Sequence, residues 1–200
     1  MTSDANFVYA AGGYNIPSGA SNQFARYSPF SNTWTPLMPL PTPTNDALAA
    51  YAQGKFYVFG GEDNHTPVPN SLDTTRIYTP ANNFWTFGAS MPGVRSHMGG
   101  GDYNGKIYVV GGYPTPSVTD AQSQTWAYDI ASNTWSTLAS LPNALGGPAS
   151  QVIGSHLYII GGRDSTNTTV NTTYDYSILA KTWTARSPRL SGINVPGSAL

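Results

Sequence analysis

Glu62 and Asp63 stand side by side, with Asp164 far along the chain, and they are the acids best placed for chemistry. Two carboxylates held about 5–10 Å apart across a bound sugar would be the machinery of a glycosidase. Neighbouring residues on one loop point apart, however, and no acid recurs at a matching position elsewhere, so no catalytic pair is assigned. His65, His97 and His156 are the three imidazoles a metal site could use. Arg95 and Arg163 could grip a carboxylate or an acidic peptide through paired N–H donors. Tyr14, Asn15 and Tyr113 add the residue types that anchor interfaces. The chain has no Cys, which removes disulfides, thiolate zinc sites and cysteine nucleophiles together. Gly99-Gly100-Gly101 is not followed by a helical pattern, so it is no nucleotide loop. The expectation is no catalytic residue, no metal and no cofactor, and the enzyme question leans to no.

Composition narrows the partner classes. Nine Lys and Arg stand against ten Asp and Glu, giving a net charge of −1, and the cations are scattered singly. Nucleic-acid binders carry a basic stripe, so DNA and RNA are not expected partners. No apolar run approaches the roughly 18 residues of a membrane span, and the N-terminus lacks the basic and apolar regions of a signal peptide. Only 10% of residues are charged, while 12% are aromatic, enough bulk for a core. One domain over residues 1–200 is the expected organisation.

The elements that position these residues follow from an internal repeat. Apolar segments end in a Gly pair at Gly12-Gly13, Gly60-Gly61, Gly111-Gly112 and Gly161-Gly162, spaced 48, 51 and 50 residues apart. Tyr27, Tyr78, Tyr128 and Tyr176 follow, and seven residues after each comes Trp34, Trp85, Trp135 or Trp183. The repeats span about 7–40, 41–91, 92–141 and 142–190, with a tail at 191–200. Each unit reads as four short strands. Residues 149–153 and 156–160 form a hairpin across Gly154-Ser155, and Gln53-Gly54 and Asn104-Gly105 make the same turn in other copies. The second strand is apolar on both faces, as in Phe56-Tyr57-Val58-Phe59, which suits a strand sandwiched between two neighbouring sheets. No segment shows a sustained helical period, so the fold class is all-β.

A period near 50 with strand, Gly-Gly, Tyr and Trp resembles the kelch repeat, in four copies that cover essentially the whole chain. The resemblance implies a β-propeller of four-stranded blades around a central channel, with the Gly pair at a crowded turn and the Tyr packed on the Trp. Residues 7–11 read as the second strand of the first blade. The family's usual closure then has the tail supply that blade's first strand, so that both termini share one blade. Family members commonly have more than four blades, which leaves a larger ring, or assembly with further copies, as the other arrangement. The copper oxidase built on this repeat needs a Cys that the chain lacks. The sialate mutarotases of this fold use six blades, and the Asp-box of sialidase propellers has no complete match at Ala131 to Trp135.

The loops after the second and fourth strands open on one face, and it is there that repeat proteins concentrate binding. That face collects Tyr14, Asn15, Glu62, Asp63, His65, Arg95, His97, Tyr113, Arg163 and Asp164, whereas His156 belongs to the opposite end. Asx residues directly after a Gly pair also serve simply as turn formers. Three Asn-x-Thr triplets, at Asn64, Asn167 and Asn171, together with low charge, point to an extracellular or cell-surface setting. The expected function is a non-enzymatic scaffold presenting these loops to a protein or peptide. The alternatives are a carbohydrate-binding or carbohydrate-active propeller, and an engineered or excised fragment without independent function.

Overall fold

The computed structural model describes residues 1–16, 18–64, 70–116 and 120–190. Among the described residues its strands form four antiparallel sheets of four and one two-stranded sheet, and the second to fourth of the larger sheets are built from consecutive strands in chain order. The first blade uses Thr2–Ser3 (β1), Val8–Ala11 (β2), Phe24–Ser28 (β5) and Thr33–Pro36 (β6); a two-stranded hairpin of Tyr14–Asn15 (β3) and Gly19–Ala20 (β4) projects between its second and third strands. The second blade is Leu48–Ala52 (β7), Lys55–Phe59 (β8), Thr75–Thr79 (β9) and Phe84–Phe87 (β10). The third is Gly99–Tyr103 (β11), Lys106–Val110 (β12), Thr125–Asp129 (β13) and Thr134–Thr137 (β14). The fourth is Ala149–Ile153 (β15), His156–Ile160 (β16), Thr173–Ser177 (β17) and Thr182–Arg186 (β18).

The first blade differs from the expectation in one respect. Its innermost strand is contributed by Thr2–Ser3, which pair with Tyr9 and Val8. Two residues are enough because Asp4 accepts the backbone N–H groups of Asn6 and Phe7 and closes the turn between the strands. The tail assigned to this position, residues 191–200, lies outside the described residues.

Local chemistry explains the repeated hairpins. Gln53-Gly54 and Asn104-Gly105 adopt positive φ at both positions, the geometry that matches the right-handed twist of the flanking strands. The polar turn between third and fourth strands places Asn32, Asn83 and Asn133 in the left-handed region, where the short amide side chain is tolerated. From there each Asn Oδ1 accepts the hydroxyl proton of the blade's own Tyr: Tyr27, Tyr78 or Tyr128. The fourth blade has Lys181 at this place, and the buried Tyr176 hydroxyl has no partner among the described residues. In every blade the Tyr ring packs on the Trp, with centroids 4.9–5.3 Å apart.

Three apolar clusters fill the three spaces between consecutive blades. Tyr9, Phe24, Phe56, Val58, Tyr78 and Trp85 join the first blade to the second. Tyr57, Phe59, Ile107, Val109 and Tyr128 join the second to the third, and Tyr108, Val110, Leu157, Ile159 and Tyr176 join the third to the fourth. The second strands of the second and third blades thus bury both faces, one toward each neighbour, as their unbroken apolar runs require. None of the three clusters joins the fourth blade to the first. Along the axis the innermost strands approach closely. The Ser150 hydroxyl donates to the Gly100 carbonyl and accepts the Gly100 N–H, both at 2.8 Å. Thr2, Ala49, Gly100, Asp102, Ser150 and Gln151 are among the residues lining an axial cavity of about 220 Å³.

The Gly pair does the work expected of a crowded turn. Gly111 has φ +67°, and a Cβ there would lie 2.3 Å from the Leu145 carbonyl oxygen. Gly154, in the hairpin turn, also has positive φ but faces open space. Gly154→Ala should therefore cost about 1 kcal/mol of backbone strain. Gly111→Ala adds displacement of the loop and should cost about 3 kcal/mol or more, by urea denaturation of the two variants.

Candidate functional site

The loops on the Gly-Gly side interlock by backbone bonds that repeat from blade to blade. The second Gly of each of the first three pairs donates its N–H to the loop leaving that blade: Gly13 to Thr44, Gly61 to Arg95, Gly112 to Leu145, at 2.8–2.9 Å. The residue after the Gly pair then exchanges two bonds with the loop entering its own blade. Glu62 pairs in this way with Asn45, Tyr113 with Ser96, and Arg163 with Gly146. A second chain runs nearer the axis, where the His97 N–H donates to the Asp46 carbonyl and the Gly147 N–H to the His97 carbonyl. Asp46, His97 and Gly147 all have positive φ and occupy the same place in successive repeats.

This frame separates the expected site residues into two groups. Glu62, Arg95 and Tyr113 are buried. Glu62 accepts the Ser96 hydroxyl at 2.7 Å. Arg95 donates to the Val94 carbonyl and the Gln124 amide oxygen, both at 2.8 Å, and its guanidinium lies 4.8 Å above the Trp126 ring. Those contacts brace the loop, and burial closes the guanidinium off from solvent although its Nε has no partner among the described residues. The Tyr113 ring fills the space beside Gly146, where a Cβ would come within 2.1 Å of it, and burial pushes its hydroxyl pKa up. Tyr14, Asn15 and Arg163 are exposed, Tyr14 at 68%. Arg163 donates to Asn167 Oδ1 at 2.7 Å. Asp164 accepts the hydroxyl of Thr166 and the N–H groups of Thr168 and Thr166, bonds that hold its carboxyl below the usual carboxylate range. Asp63 likewise accepts the Asn70 N–H at 2.9 Å. The turn-forming reading of these two Asp residues is the one the geometry matches. His65 lies outside the described residues.

One polar cluster gathers around His97. Its Nδ1 is 3.2 Å from Ser96 Oγ and 3.8 Å from Glu62 Oε1, its Nε2 is 3.5 Å from Asp46 Oδ1, and the Tyr113 ring meets it edge-on at 5.6 Å. Asp46 was not singled out in the sequence. The available signal was its position one period before His97, on the loop that enters the following blade. Asn64, read as a glycosylation triplet, is committed elsewhere: its amide donates to the Ala20 carbonyl at 2.7 Å and its oxygen accepts the Ala20 N–H, tying the second blade's loop to the first blade's hairpin.

His156 sits apart, on the far face of the fourth blade. Its Nδ1 is 2.7 Å from Asp175 Oδ1, and Arg186 donates to Asp175 Oδ2 from Nε and Nη2 at 3.0 and 2.7 Å. His97 and His156 therefore serve separate carboxylate clusters. No group of three or more metal-ligating side chains occurs among the described residues.

Radial packing of four-stranded blades with interlocked loops defines the class: a propeller domain of the kelch type. The family model for the KLHDC2/KLHL20/DRC7 Kelch-repeats domain matches residues 1–197, and the chain belongs to the kelch-repeat family. It is 31% identical over 102 residues to Kelch-like protein 35 of Mus musculus, covering 50% of this chain and 17% of that protein. It is 32% identical over 105 residues to Kelch-like ECH-associated protein 1B of Danio rerio, covering 52% and 18%. Beta-scruin of Limulus polyphemus is 31% identical over 112 residues, covering 52% and 12%. The matched segment is thus less than a fifth of each of these relatives. Among solved structures, that of YjhT superposes with a TM-score of 0.84 at 19% identity, over 98% of this chain and 67% of that one.

The carboxyl of Asp175 supplies a pH prediction. Its burial alone would raise its pKa, but the hydrogen bonds from Arg186 and His156 outweigh this and lower it. A depressed carboxyl stabilises the fold above the usual carboxylate range and loses that contribution as pH falls through it. Asp175→Asn should lower Tm at pH 7, and the gap to the parent should narrow below about pH 4, in a series of thermal scans.

Proposed function

We propose that the chain is a non-enzymatic scaffold that binds a protein or peptide through the loops on the Gly-Gly side. The observation that carries this reading is the division of that face. Tyr14, Ile16 and Arg163 are exposed, while the backbone ladders that hold the loops run beneath them. Loops fixed in advance lose little freedom when a partner docks, so more of the contact energy appears as affinity. Aromatic and Arg side chains on such loops are the residue types that anchor protein interfaces. The relative named as ECH-associated also points to association as a use of this repeat.

The carbohydrate reading required Glu62, Asp63 and Asp164 to be available. Glu62 is buried against Ser96, while Asp63 and Asp164 accept bonds from their own loops. These bonds tie one oxygen of Glu62, Asp63 and Asp164 each to the loop frame, which supports the scaffold reading over the hydrolytic one.

Random peptides displayed on phage and selected on the immobilised chain provide the test. Selected peptides should bind Tyr14→Ala and Arg163→Ala at least tenfold more weakly than the parent, and bind Lys55→Ala, on the opposite face, as well as the parent. Peptides sensitive to Lys55→Ala alone would move the site to the other face. A glycan array giving strong binding, with no peptide selected, would replace the proposal with the carbohydrate reading.

A further inference from the structure

Much of the aromatic surface is committed to the joints between blades. The indole Nε1–H of Trp85 donates to the Met38 carbonyl at 2.8 Å, that of Trp135 to Ala89 at 2.9 Å, and that of Trp183 to Ala139 at 2.8 Å. On the loop face the projecting hairpin of the first blade stays open, with Tyr14 68% and Ile16 83% exposed. That hairpin is rooted between two loops. The Gly13 N–H donates to the Thr44 carbonyl and the Thr44 N–H to the Ser21 carbonyl, while the Asn64 amide holds the Ala20 carbonyl from the other side. Asp46 follows Thr44 by two residues and Glu62 precedes Asn64 by two, so an apolar prong and a pair of carboxylates share one stretch of surface.

Charge is divided between the two ends of the propeller. Asp46, Glu62, Asp63, Asp73, Asp120 and Asp164, six of the ten acids, lie on segments that follow second or fourth strands, against Arg95, Arg163 and Arg189. Lys55, Lys106 and Lys181, all the lysines of the chain, lie at the opposite end. The ion pairs of Lys106 with Asp129 and of Arg186 with Asp175 also lie away from the loop face. On that face Arg95 is buried over Trp126, and Arg163 is bonded to Asn167. Asp120 is exposed, accepts the Gln122 amide, and its field reaches the buried Arg95. The Asp46 side chain is 40% exposed and has no Lys or Arg partner among the described residues; its neighbours are the Asn45 amide and the His97 ring, whose Nε2 is 3.5 Å from Oδ1.

We propose that the partner of this face is a protein segment that is basic and carries an adjoining apolar or aromatic residue. Its Lys or Arg lies over Asp46, beside Glu62 and His97, and its apolar residue rests on Tyr14 and Ile16. The inference rests on the scaffold reading above and adds the chemistry of the partner. A rim with excess negative charge draws in a cationic segment and repels an acidic one, and this bias acts before contact is made. Because Asp46 is reached from solvent, an ammonium or guanidinium can pair with it at the surface, where neither charge is fully desolvated. The Tyr14 ring offers a face on which an aromatic or guanidinium group can stack. The spacing of prong and carboxylate is set in advance by the backbone bonds at Gly13 and Thr44.

The test uses peptides selected from the phage library on the immobilised chain, near neutral pH. Selected peptides should carry about two or more Lys or Arg beyond the mean of the unselected library. Their affinity should fall about tenfold between about 50 and 500 mM NaCl, and replacing their Lys and Arg with Glu should abolish binding. Asp46→Asn keeps a residue suited to the positive φ at that place and should weaken these peptides about fivefold. Asp102→Asn, at the opposite end of the third blade, should bind them as the parent does, with thermal scans confirming that both variants fold. Neutral or acidic peptides that lose affinity in Tyr14→Ala would keep the scaffold reading and overturn the basic partner. Basic peptides that bind Asp46→Asn and Tyr14→Ala as tightly as the parent would reveal unspecific attraction, which also overturns it. Spermine binding that depends on Asp46 and not on Tyr14 would make a small polyamine the occupant, with the same consequence. A selection that yields no peptide would remove the scaffold reading and this inference together.

Discussion

Each blade is fastened to the one before it by an indole N–H that reaches a single peptide carbonyl, and most of the architecture depends on that contact being available. The Trp can reach the carbonyl because its own blade's Tyr packs against it and because the Asn turn fixes the end of the fourth strand. An isolated hydrogen bond of this kind contributes only about 1 kcal/mol. Its greater effect is geometric. It sets the register between neighbouring sheets, so that Phe56 and Val58 meet one blade while Tyr57 and Phe59 meet the next. The apolar burial between blades supplies the larger energy, and the polar connector decides which packing is adopted.

The same economy governs the loop face. Backbone pairs at Glu62, Tyr113 and Arg163 use residues of very different chemistry in one structural role, since only their main chains take part in the ladder. Side-chain identity is thereby free to vary, and the chain uses it in two ways. Glu62 and Tyr113 turn inward and help build the cluster around His97, whereas Arg163 and Tyr14 stand outward. Inward bracing and outward exposure thus fall at equivalent positions in different blades, as a repeat fold permits.

The first and fourth blades each have one neighbouring blade among the described residues. The first leaves Trp34 and a small apolar face in solvent. The fourth places the Asp175–Arg186 ion pair, with His156 bonded to Asp175, over the outward side of its second strand. At the corresponding place the second and third blades carry Ile77 and Ala127, inside the apolar joints. Charge at this position is compatible with a joint, because Arg26 of the first blade occupies it and stacks over the Phe7 ring at 4.4 Å.

The sequence by itself determined the repeat, the four-strand unit, the hairpin turns and the Tyr-Trp pair. All of these are local or periodic: Asn and Gly at positive φ, two-residue turns and a fixed Tyr-to-Trp interval leave their mark within a few residues. The grouping of the Gly-Gly-side loops was legible for the same reason, since strand alternation alone places the loops after second and fourth strands together. Tertiary structure decided which residues on that face are free. Arg95 looked like an anion grip and is spent on Gln124 and Trp126; Asn64 looked like a surface triplet and is clamped to Ala20; Asp46 carried no signal of its own and joins His97. Each outcome depends on a partner 29 to 51 residues away, across the junction between two strands or two blades. The innermost strand of the first blade was decided in the same way. Thr2–Ser3 have no apolar alternation to announce a strand and become one only because Val8 and Tyr9 offer an unpaired edge beside them.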